Sequence, residues 1–476
     1  RVRELVQAED GTHSLDLVTP DDFRSRLERY DRTVGGFRAD HNNPGDYVLK
    51  EVVCSKDIAG ALLETIDARE LLPPIQSVVA APIITEANGK LVALGKGYHP
   101  HNGGVLITKG ETVPEVDVDE AVVSLLEVLA DYDFQTGGDR SRAAASFITP
   151  ALRLGGFIRE DIPLDIAEAN VSQSGKTYRQ KLICAVYGEH PYVVTRREGG
   201  VGSLDESLCQ AFVAGRPFIM LENMRGQIDS QILESALRGM GYVTARIPHK
   251  GEIQIDTTRF MFQLTSNGVE TTRDLANRSA IIRIRKRPME YQFHQWPDGD
   301  LFDHITANQA HYLGCVFAIV RAWHAAGRPT TSETRHDFRQ WTRTLDWIVR
   351  EVFKLAPLMD GHEAAQERVS NPALTWLRSV ALAIEAAGEL GQDFSATKLY
   401  ELGEEHGIEI PGLREAADEV QARQAIGRIM AKLFRETNAL AVEGFTVTRI
   451  ERDEYFAEAR VTKPVKFYTF TREGAQ

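Results

Sequence analysis

The segment from Asn170 to Thr177 reads Asn-Val-Ser-Gln-Ser-Gly-Lys-Thr and has the residue types of a phosphate-binding loop. Such a loop needs small residues, so that backbone N–H groups can surround phosphates at the N-terminus of a helix. It also needs a lysine for the outer phosphates and a hydroxyl for magnesium, here Lys176 and Thr177. The segment therefore predicts binding of ATP and Mg²⁺. The predicted phosphate-binding residues are Asn170, Ser172, Ser174, Gly175, Lys176 and Thr177.

The context of this loop supports the prediction more than its letters do. Asn170 stands where the first glycine is expected, although asparagine also tolerates a left-handed backbone. Ordinary residue usage would place a Gly-Lys-Thr or Gly-Lys-Ser triplet in ~25% of chains of this length. Here the triplet lies between a predicted strand, 164–167, and a predicted helix, 176–187, as the motif requires.

A second polar position follows the apolar run 218–221, where Glu222 and Asn223 end a predicted buried strand. A carboxylate at this point can bind Mg²⁺, and its neighbour can polarise an attacking water. We therefore predict that Glu222 binds the metal and that Asn223 orients the water. Because an asparagine cannot accept the water's proton, Glu198 and Glu206 remain open as alternative bases.

Two further polar residues follow in the order expected of a nucleotide-hydrolysing site. Asn267 ends the predicted strand 260–264 and is predicted to contact the γ-phosphate or the attacking water. Arg278 comes eleven positions later, where an arginine can reach the nucleotide of a neighbouring subunit and stabilise transition-state charge. Arg273 competes for this role, and a surface arginine is the alternative interpretation for either residue.

Residues 242–255 read as a β-hairpin whose tip is His249-Lys250-Gly251. A basic hairpin tip is suited to contacting a nucleic-acid backbone, so His249 and Lys250 are predicted to bind DNA. For an isolated hairpin, an exposed basic turn without function would be the preferred interpretation.

These residues are positioned by an alternation of predicted strands and helices, which favours an α/β fold with a mostly parallel sheet in three layers. The predicted strands are 164–167, 192–195, 218–221, 260–264 and 280–284, and the predicted helices are 176–187, 204–213 and 231–240. Later segments, helical at 396–406 and 421–434 and strand-like at 445–450 and 466–470, suggest a winged helix. The second of those helices carries several basic residues, and DNA binding and protein contact are equally open for it.

The chain of 476 residues predicts two to four domains. We divide it into an N-terminal accessory region, a β-rich then helical collar-like region, an ATPase core, a helical lid-like region and a winged-helix-like domain. Their predicted bounds are 1–75, 76–150, 151–300, 301–388 and 389–476.

Composition excludes some classes of protein and leaves nucleic-acid binding open. Charged residues make up 26% and apolar residues 43%, and no apolar run is long enough to cross a bilayer. The four cysteines are far apart in the chain, which favours a reducing cytoplasm over a zinc site. The pair His99 and His101 is also interpreted as a surface turn rather than a metal site. A net charge of −13 is compatible with DNA binding, since a ring can keep basic groups in its central channel.

Taken in order, these segments resemble the AAA+ helicases of the superfamily III and minichromosome-maintenance type. They resemble more closely the helicase or primase-helicase proteins of phages and other mobile elements. The resemblance spans residues 77–288 and is carried by 97–104, 175–177, 221–223, 265–267 and 274–279.

The resemblance implies a homo-hexameric ring that hydrolyses ATP between subunits and moves along single-stranded or forked DNA in replication. It implies that Asn267 is the sensor residue, that Arg278 is an arginine finger acting in trans, and that His249 and Lys250 face the central channel. It also implies a primase or other replication proteins as partners. The sequence departs from the pattern at Asn170, Glu222 and Asn223.

Two other hypotheses remain open. A nucleotide-switched DNA-binding or loader protein with little ATP turnover is favoured by Asn223, which cannot act as a base. A degenerate scaffold that binds neither nucleotide nor DNA is suggested only by Asn170.

Overall fold

The computed structural model describes most of the chain. The described residues are 2–9, 11–110, 112–169, 174–195, 203–222, 224, 227–228, 230–238, 241–247, 251–266, 270–411, 413, 418–435, 437–456 and 461–472. Among them, no helix combines the length and the apolar character needed to span a membrane.

The first third of the chain is rich in short strands. The N-terminal region contains β1 (Arg3–Gln7), β2 (His13–Leu17), α1 (Pro20–Arg29), β3 (Val34–Ala39), β4 (Tyr47–Val52), α2 (Lys56–Glu64) and α3 (Ile66–Glu70). The next region contains β5 (Ser77–Val79), β6 (Ile83–Ala87), β7 (Lys90–Leu94), β8 (Gly97–His99), a 3-10 turn (Pro100–Asn102), β9 (Val105–Ile107), α4 (Val118–Glu127), β10 (Asp133–Phe134) and α5 (Gly137–Leu154).

The middle of the chain alternates strands with helices. It contains β11 (Leu164–Ala169), α6 (Lys176–Val186), β12 (Tyr192–Val194), α7 (Leu204–Ala214), β13 (Phe218–Leu221), β14 (Gln227–Ile228), α8 (Gln231–Ala236), β15 (Tyr242–Ile247), β16 (Gly251–Asp256), β17 (Met261–Ser266), β18 (Glu270–Thr271), α9 (Arg273–Asn277) and β19 (Ser279–Arg285).

The last part is mainly helical and ends in a small sheet. Its helices are α10 (Leu301–Ala307), α11 (Gln309–Ala325), α12 (Arg339–Trp347), which continues into a π-helical turn (Ile348–Val352), and α13 (His362–Val369). The remaining elements are α14 (Pro372–Ala386), β20 (Asp393–Phe394), α15 (Ala396–His406), α16 (Glu419–Leu433), β21 (Ala439–Val442), β22 (Phe445–Phe456) and β23 (Val461–Arg472).

Within the described residues, the central sheet has six strands in the order β10-β19-β11-β17-β13-β12. All neighbours pair in parallel except β10, which is antiparallel to β19 at one edge. Parallel sheets are covered on both faces, which explains why every residue of β13 and β17 is buried. The predicted α/β class and mostly parallel sheet are confirmed.

Two hydrophobic clusters organise the rest of the molecule. The larger contains the central sheet together with α4, α5, α11 and α12, and it extends to Val369 at the end of α13. The smaller begins with Trp376 in α14 and ends with Phe470 in β23. The helical region that precedes Val369 therefore packs on the sheet, while α14 and all later elements form a separate C-terminal domain. Interpretation of this domain as a winged helix remains a prediction.

Candidate nucleotide-binding site

The first helix after the central strand β11 begins at the predicted phosphate-binding lysine. α6 starts at Lys176, and Gly175 before it has a φ of +85°. A side chain at Gly175 is disfavoured for two reasons. Its φ favours glycine, and a Cβ atom would lie 3.0 Å from Cε1 of Tyr132. The glycine lets the backbone turn into a helix N-terminus whose N–H groups are available to an anion.

Lys176 lies in a protected position at this helix start. Its residue surface is 9% exposed, and its Nζ donates a hydrogen bond to Oγ of Ser174 at 3.3 Å. Burial lowers the pKa of Lys176, and the nearby carboxylate of Glu168 opposes that shift. The arrangement holds a partly desolvated ammonium group beside the loop, where its attraction for phosphate is stronger than in water.

The predicted magnesium ligands lie beyond the carboxyl ends of two strands of the central sheet, β11 and β13. Thr177 lies in the first turn of α6 and is half-buried, and Glu222 directly follows β13 and is also half-buried. The register aligns Leu221 with Leu264, and Leu264 with Ile166 of β11. Two strand spacings of ~4.8 Å separate the backbones of β11 and β13, which gives about 10 Å.

A hydroxyl and a carboxylate are oxygen donors of the kind that Mg²⁺ prefers. Among the described residues, no group of three His, Cys, Asp or Glu side chains could bind a metal ion by itself. A donor set of one hydroxyl and one carboxylate fits an ion that takes its other ligands from phosphates and water, as Mg²⁺ commonly does.

Beside Gly175 opens a cavity of ≈ 520 Å³, which the sequence did not predict. Its walls come from three parts of the chain: the turn before β10 with β10 itself, the start of α6, and the end of β19 with the segment that follows it. The lining residues are Asp131, Tyr132, Asp133, Ser174, Gly175, Tyr178, Arg285, Lys286, Arg287, Pro288, Met289, Phe293, His294, Gln295, Trp296, Gly299, Asp300 and Leu301.

The segment after β19 is fastened to one aspartate. The carboxylate of Asp131 accepts hydrogen bonds from the Tyr291 hydroxyl at 2.8 Å and from the His294 backbone N–H at 3.0 Å. Its carbonyl oxygen accepts one from Nε of Arg287 at 3.0 Å. These bonds hold residues 286–301 close to the start of α6, where they form one wall of the cavity.

Aromatic side chains form part of the cavity wall, and rings of this kind suit stacking on a planar ligand. The Tyr132 hydroxyl is buried and has no hydrogen-bond partner within the described structure, and burial raises its pKa. It is therefore a protonated donor. Trp296 is stacked on His304 with ring centroids 4.3 Å apart, so its ring is held in place. The density of aromatic residues from Tyr291 to Trp296 is the sequence signal that could have indicated this wall.

Replacing Trp296 with alanine is expected to weaken nucleotide binding about tenfold, because stacking on an aromatic ring is worth about 1–3 kcal/mol per base. The measurement is a titration with a fluorescent ATP analogue in the presence of Mg²⁺. Phe37→Ala is the control, since Phe37 is an exposed aromatic residue of β3. Equal affinities of the Trp296 variant and the wild-type chain would exclude the cavity as the base site.

Arg278 lies at the amino ends of the parallel strands, whereas Lys176 lies beyond the carboxyl end of β11. It directly precedes β19, and its carbonyl oxygen accepts a hydrogen bond from Leu164 at the start of β11. The guanidinium bonds to Oδ1 of Asp274 at 2.9 Å and to the Glu234 carbonyl at 3.3 Å. The six residues of β11 span about 20 Å, so the start of β19 and the loop after β11 lie at opposite ends of the strands. The competing Arg273 is exposed at the start of α9.

The predicted hairpin is present as the antiparallel pair β15 and β16, with Ile247 opposite Gly251. Its tip lies outside the described residues. The same holds for several predicted site residues, which therefore stay predictions: Asn170, Ser172, Asn223, Asn267, His249 and Lys250. Of the alternative bases, Glu206 lies in the first turn of α7. Glu198 is outside the described residues.

No family model matches the chain, and no curated protein matches it. Solved structures do. The apo C-terminal region of NrS-1 has 13% identity and a TM-score of 0.35 and covers 94% of this chain and 99% of its own. The active helicase Cch of SCCmec type IV has 11% identity and a TM-score of 0.31, with coverage of 98% and 90%. A JCV helicase bound to a substituted N-phenylacetamide compound has 12% identity and a TM-score of 0.23, with coverage of 53% and 73%. At these scores the similarity is distant, and the chemistry of the site is inferred from its own residues.

Proposed function

We propose that this chain is an ATP-dependent DNA helicase or translocase of the AAA+ type. The observation that carries the proposal is the junction of β11 and α6. There Gly175 and the buried Lys176 form a helix N-terminus that opens directly on the aromatic cavity. A nucleoside triphosphate needs one site for its phosphates and one for its base and ribose, and the helix start and the adjacent cavity provide both.

In this proposal the β- and γ-phosphates lie against the first turn of α6 and the Lys176 ammonium. The base and ribose occupy the cavity beside Tyr132 and Trp296. Thr177 and Glu222 hold Mg²⁺, which when bound neutralises charge on the phosphates. Asn223 and Asn267 orient the attacking water or the γ-phosphate.

The position of Arg278 favours hydrolysis between subunits. Because this residue lies at the amino ends of the strands, away from its own loop, the proposal assigns it to the nucleotide of a neighbouring subunit. An arginine supplied in this way stabilises transition-state charge. Head-to-tail contacts that close produce a ring, and the proposed assembly is a homo-hexamer.

DNA is the proposed substrate because, in the sequence, His249 and Lys250 come between β15 and β16, at the predicted tip of the hairpin. In a ring these tips face the channel and contact the backbone of single-stranded or forked DNA. The family resemblance adds a setting, replication of a phage or mobile element with a primase as a partner.

Replacing Lys250 with alanine is expected to reduce unwinding of a forked duplex at least tenfold, because a channel phosphate contact is lost. ATP hydrolysis without DNA should be unchanged, since the tip is remote from Lys176 in this proposal. Lys90→Ala is the matched control, because Lys90 is an exposed lysine at the turn of another hairpin, β6 and β7. Unwinding at the wild-type rate by the Lys250 variant would show that the hairpin does not move DNA.

The second candidate function is a nucleotide-switched DNA-binding or loader protein with little ATP turnover. Asn223 favours it, because an amide beside Glu222 cannot accept the proton of the attacking water. Steady-state ATP turnover with and without single-stranded DNA separates the two. A motor is expected to be stimulated by DNA, whereas a switch would bind ATP and leave it nearly intact.

A further inference from the structure

The turn between β21 and β22 contains an unexpected residue. Its two central residues, Glu443 and Gly444, have φ values of +38° and +88°. Two-residue turns with positive φ at both positions favour Asn-Gly or Asp-Gly, and glutamate is disfavoured there. The chain follows that rule at the exposed turn of β6 and β7, where Asn88 and Gly89 have φ values of +52° and +75°. Turn geometry therefore does not explain Glu443.

The carboxylate of Glu443 does explain its presence. The side chain is 1% exposed and lies against three guanidinium groups. Its oxygens are 3.1 Å from Nη1 of Arg283, 2.8 Å from Nε of Arg368 and 2.8 Å from Nε of Arg378. A buried carboxylate is tolerated only when it is paired in this way, and a buried arginine requires the same.

The three arginines belong to both parts of the molecule. Arg283 lies on β19 of the central sheet and Arg368 on α13, which packs on that sheet. Arg378 lies on α14, which begins the C-terminal domain. Glu443 on the turn of that domain therefore docks it to the central sheet through charges that are almost completely buried.

One of these arginines leads directly to the phosphate-binding loop. Arg368 also forms a buried ion pair with Glu168 of β11, the strand that runs into the loop. Glu168 is the last residue but one of β11, and the phosphate-binding segment begins two residues later at Asn170. Its charge also opposes the lowering of the pKa of Lys176 by burial. A continuous series of buried charges thus joins the C-terminal turn to the end of β11: Glu443, Arg368 and Glu168.

We propose that Glu443 is a positioning residue for the nucleotide site, which holds Arg368 so that Glu168 and the end of β11 stay in place before the phosphate-binding segment. Docking of the C-terminal domain thereby sets the affinity for nucleotide. The inference rests on the proposed function, since it takes Lys176 as a phosphate ligand. Without Glu443, Arg378 loses its carboxylate partner and competes with Arg368 for Glu168. Because coupling between two equilibria is reciprocal, bound nucleotide also tightens the docking.

The test exploits the preference of the turn. Glu443→Asn gives the favoured Asn-Gly turn but removes the carboxylate. A role in the turn alone predicts unchanged nucleotide affinity and equal or higher thermal stability. The positioning role predicts that the dissociation constant for a fluorescent ATP analogue with Mg²⁺ rises about tenfold, within the usual range of such couplings.

Two companion variants sharpen the result. Adding Arg378→Gln to Glu443→Asn removes the competing cation, so the dissociation constant should return toward the wild-type value. Glu385→Gln is the matched control. Glu385 pairs with Arg472 at 2.6 Å inside the same C-terminal domain, away from Glu168, so this change should leave the affinity unaltered.

The outcomes are distinguishable. If the wild-type chain binds the analogue and Glu443→Asn binds it equally well, the positioning role is wrong and the proposed function stands. If the wild-type chain binds no better than Lys176→Ala, the proposed function fails and this inference with it. If Glu443→Asn does not fold, hydrogen exchange of the wild-type chain still tests the coupling. Bound analogue should slow amide hydrogen exchange at the turn of β21 and β22 several-fold, and an unchanged rate would overturn the coupling.

Discussion

Replacing Lys176 with alanine is expected to lower the ATP hydrolysis rate by roughly 100- to 1000-fold, the usual cost of removing a charge-stabilising donor from a preorganised site. The ammonium group is partly desolvated and directed by Ser174, so its charge acts on the phosphates through little water. A neutral methyl group cannot replace that attraction, and the variant should also lose most of its nucleotide affinity.

The measurement is steady-state ATP turnover with and without single-stranded DNA. Lys181→Ala is the control, since Lys181 is an exposed lysine farther along α6. This variant should hydrolyse ATP at the wild-type rate. Turnover by the Lys176 variant within threefold of the wild-type rate would mean that the nucleotide is hydrolysed elsewhere.

Replacing Asp139 with asparagine is expected to lower the free energy of unfolding by about 3–5 kcal/mol, because the change leaves buried cations without their partner. Asp139 is completely buried and binds Arg142 at 2.7 Å and Arg283 at 3.0 Å. It also caps α5 by accepting a hydrogen bond from the Thr136 backbone N–H at 3.0 Å. Asparagine keeps the shape but loses the charge.

The effect of this change should depend on pH in one direction. Burial alone would raise the pKa of Asp139, but Arg142 and Arg283 outweigh it and hold the pKa below the ordinary value. A lowered folded-state pKa gives stability that is present above the unfolded-state pKa, about 3.9, and is lost as pH falls through the folded one. The deficit of Asp139→Asn in urea unfolding should therefore be full at pH 7 and shrink below about pH 4.

An exposed ion pair nearby provides the comparison for Asp139. Asp133 and Arg285 are 3.4 Å apart with both side chains substantially exposed, so Asp133→Asn should cost less than about 1 kcal/mol. Equal losses for the two variants would contradict the importance of the buried cluster.

The sequence predicted those parts of the site that depend on local pattern. The helix start at Lys176 and the strand before Glu222 follow from a short motif and from an unbroken apolar run. Both elements are present in the structure. The apolar run was a reliable signal because a parallel sheet buries both faces of its strands. The roles of these residues in ATP binding remain predictions.

The cavity could not be predicted because its walls are distant in sequence. The antiparallel pairing of β10 with β19 brings Asp133 opposite Arg285. The bonds of Asp131 then return the segment after β19 to the loop. No periodicity or local motif records such a long-range pairing.

The buried charges were missed for a different reason. Arg368 and Glu443 belong to residue types that usually lie at the surface, since charged side chains are rarely buried unless they are paired. Pairing is a property of the folded chain, not of the sequence around each residue. The long strands β22 and β23 were also predicted too short, because their outer ends, such as Glu451 to Asp453, are exposed and are held by pairing with each other.

The most direct test of the nucleotide site is a map of the chain with Mg²⁺, a non-hydrolysable ATP analogue and forked DNA. The structure predicts phosphate density at the first turn of α6 against Lys176, and a base in the cavity between Tyr132 and Trp296. In a ring, Arg278 of each subunit should approach the neighbour's γ-phosphate. An analogue bound elsewhere, or an empty cavity at saturating analogue, would contradict the assignment.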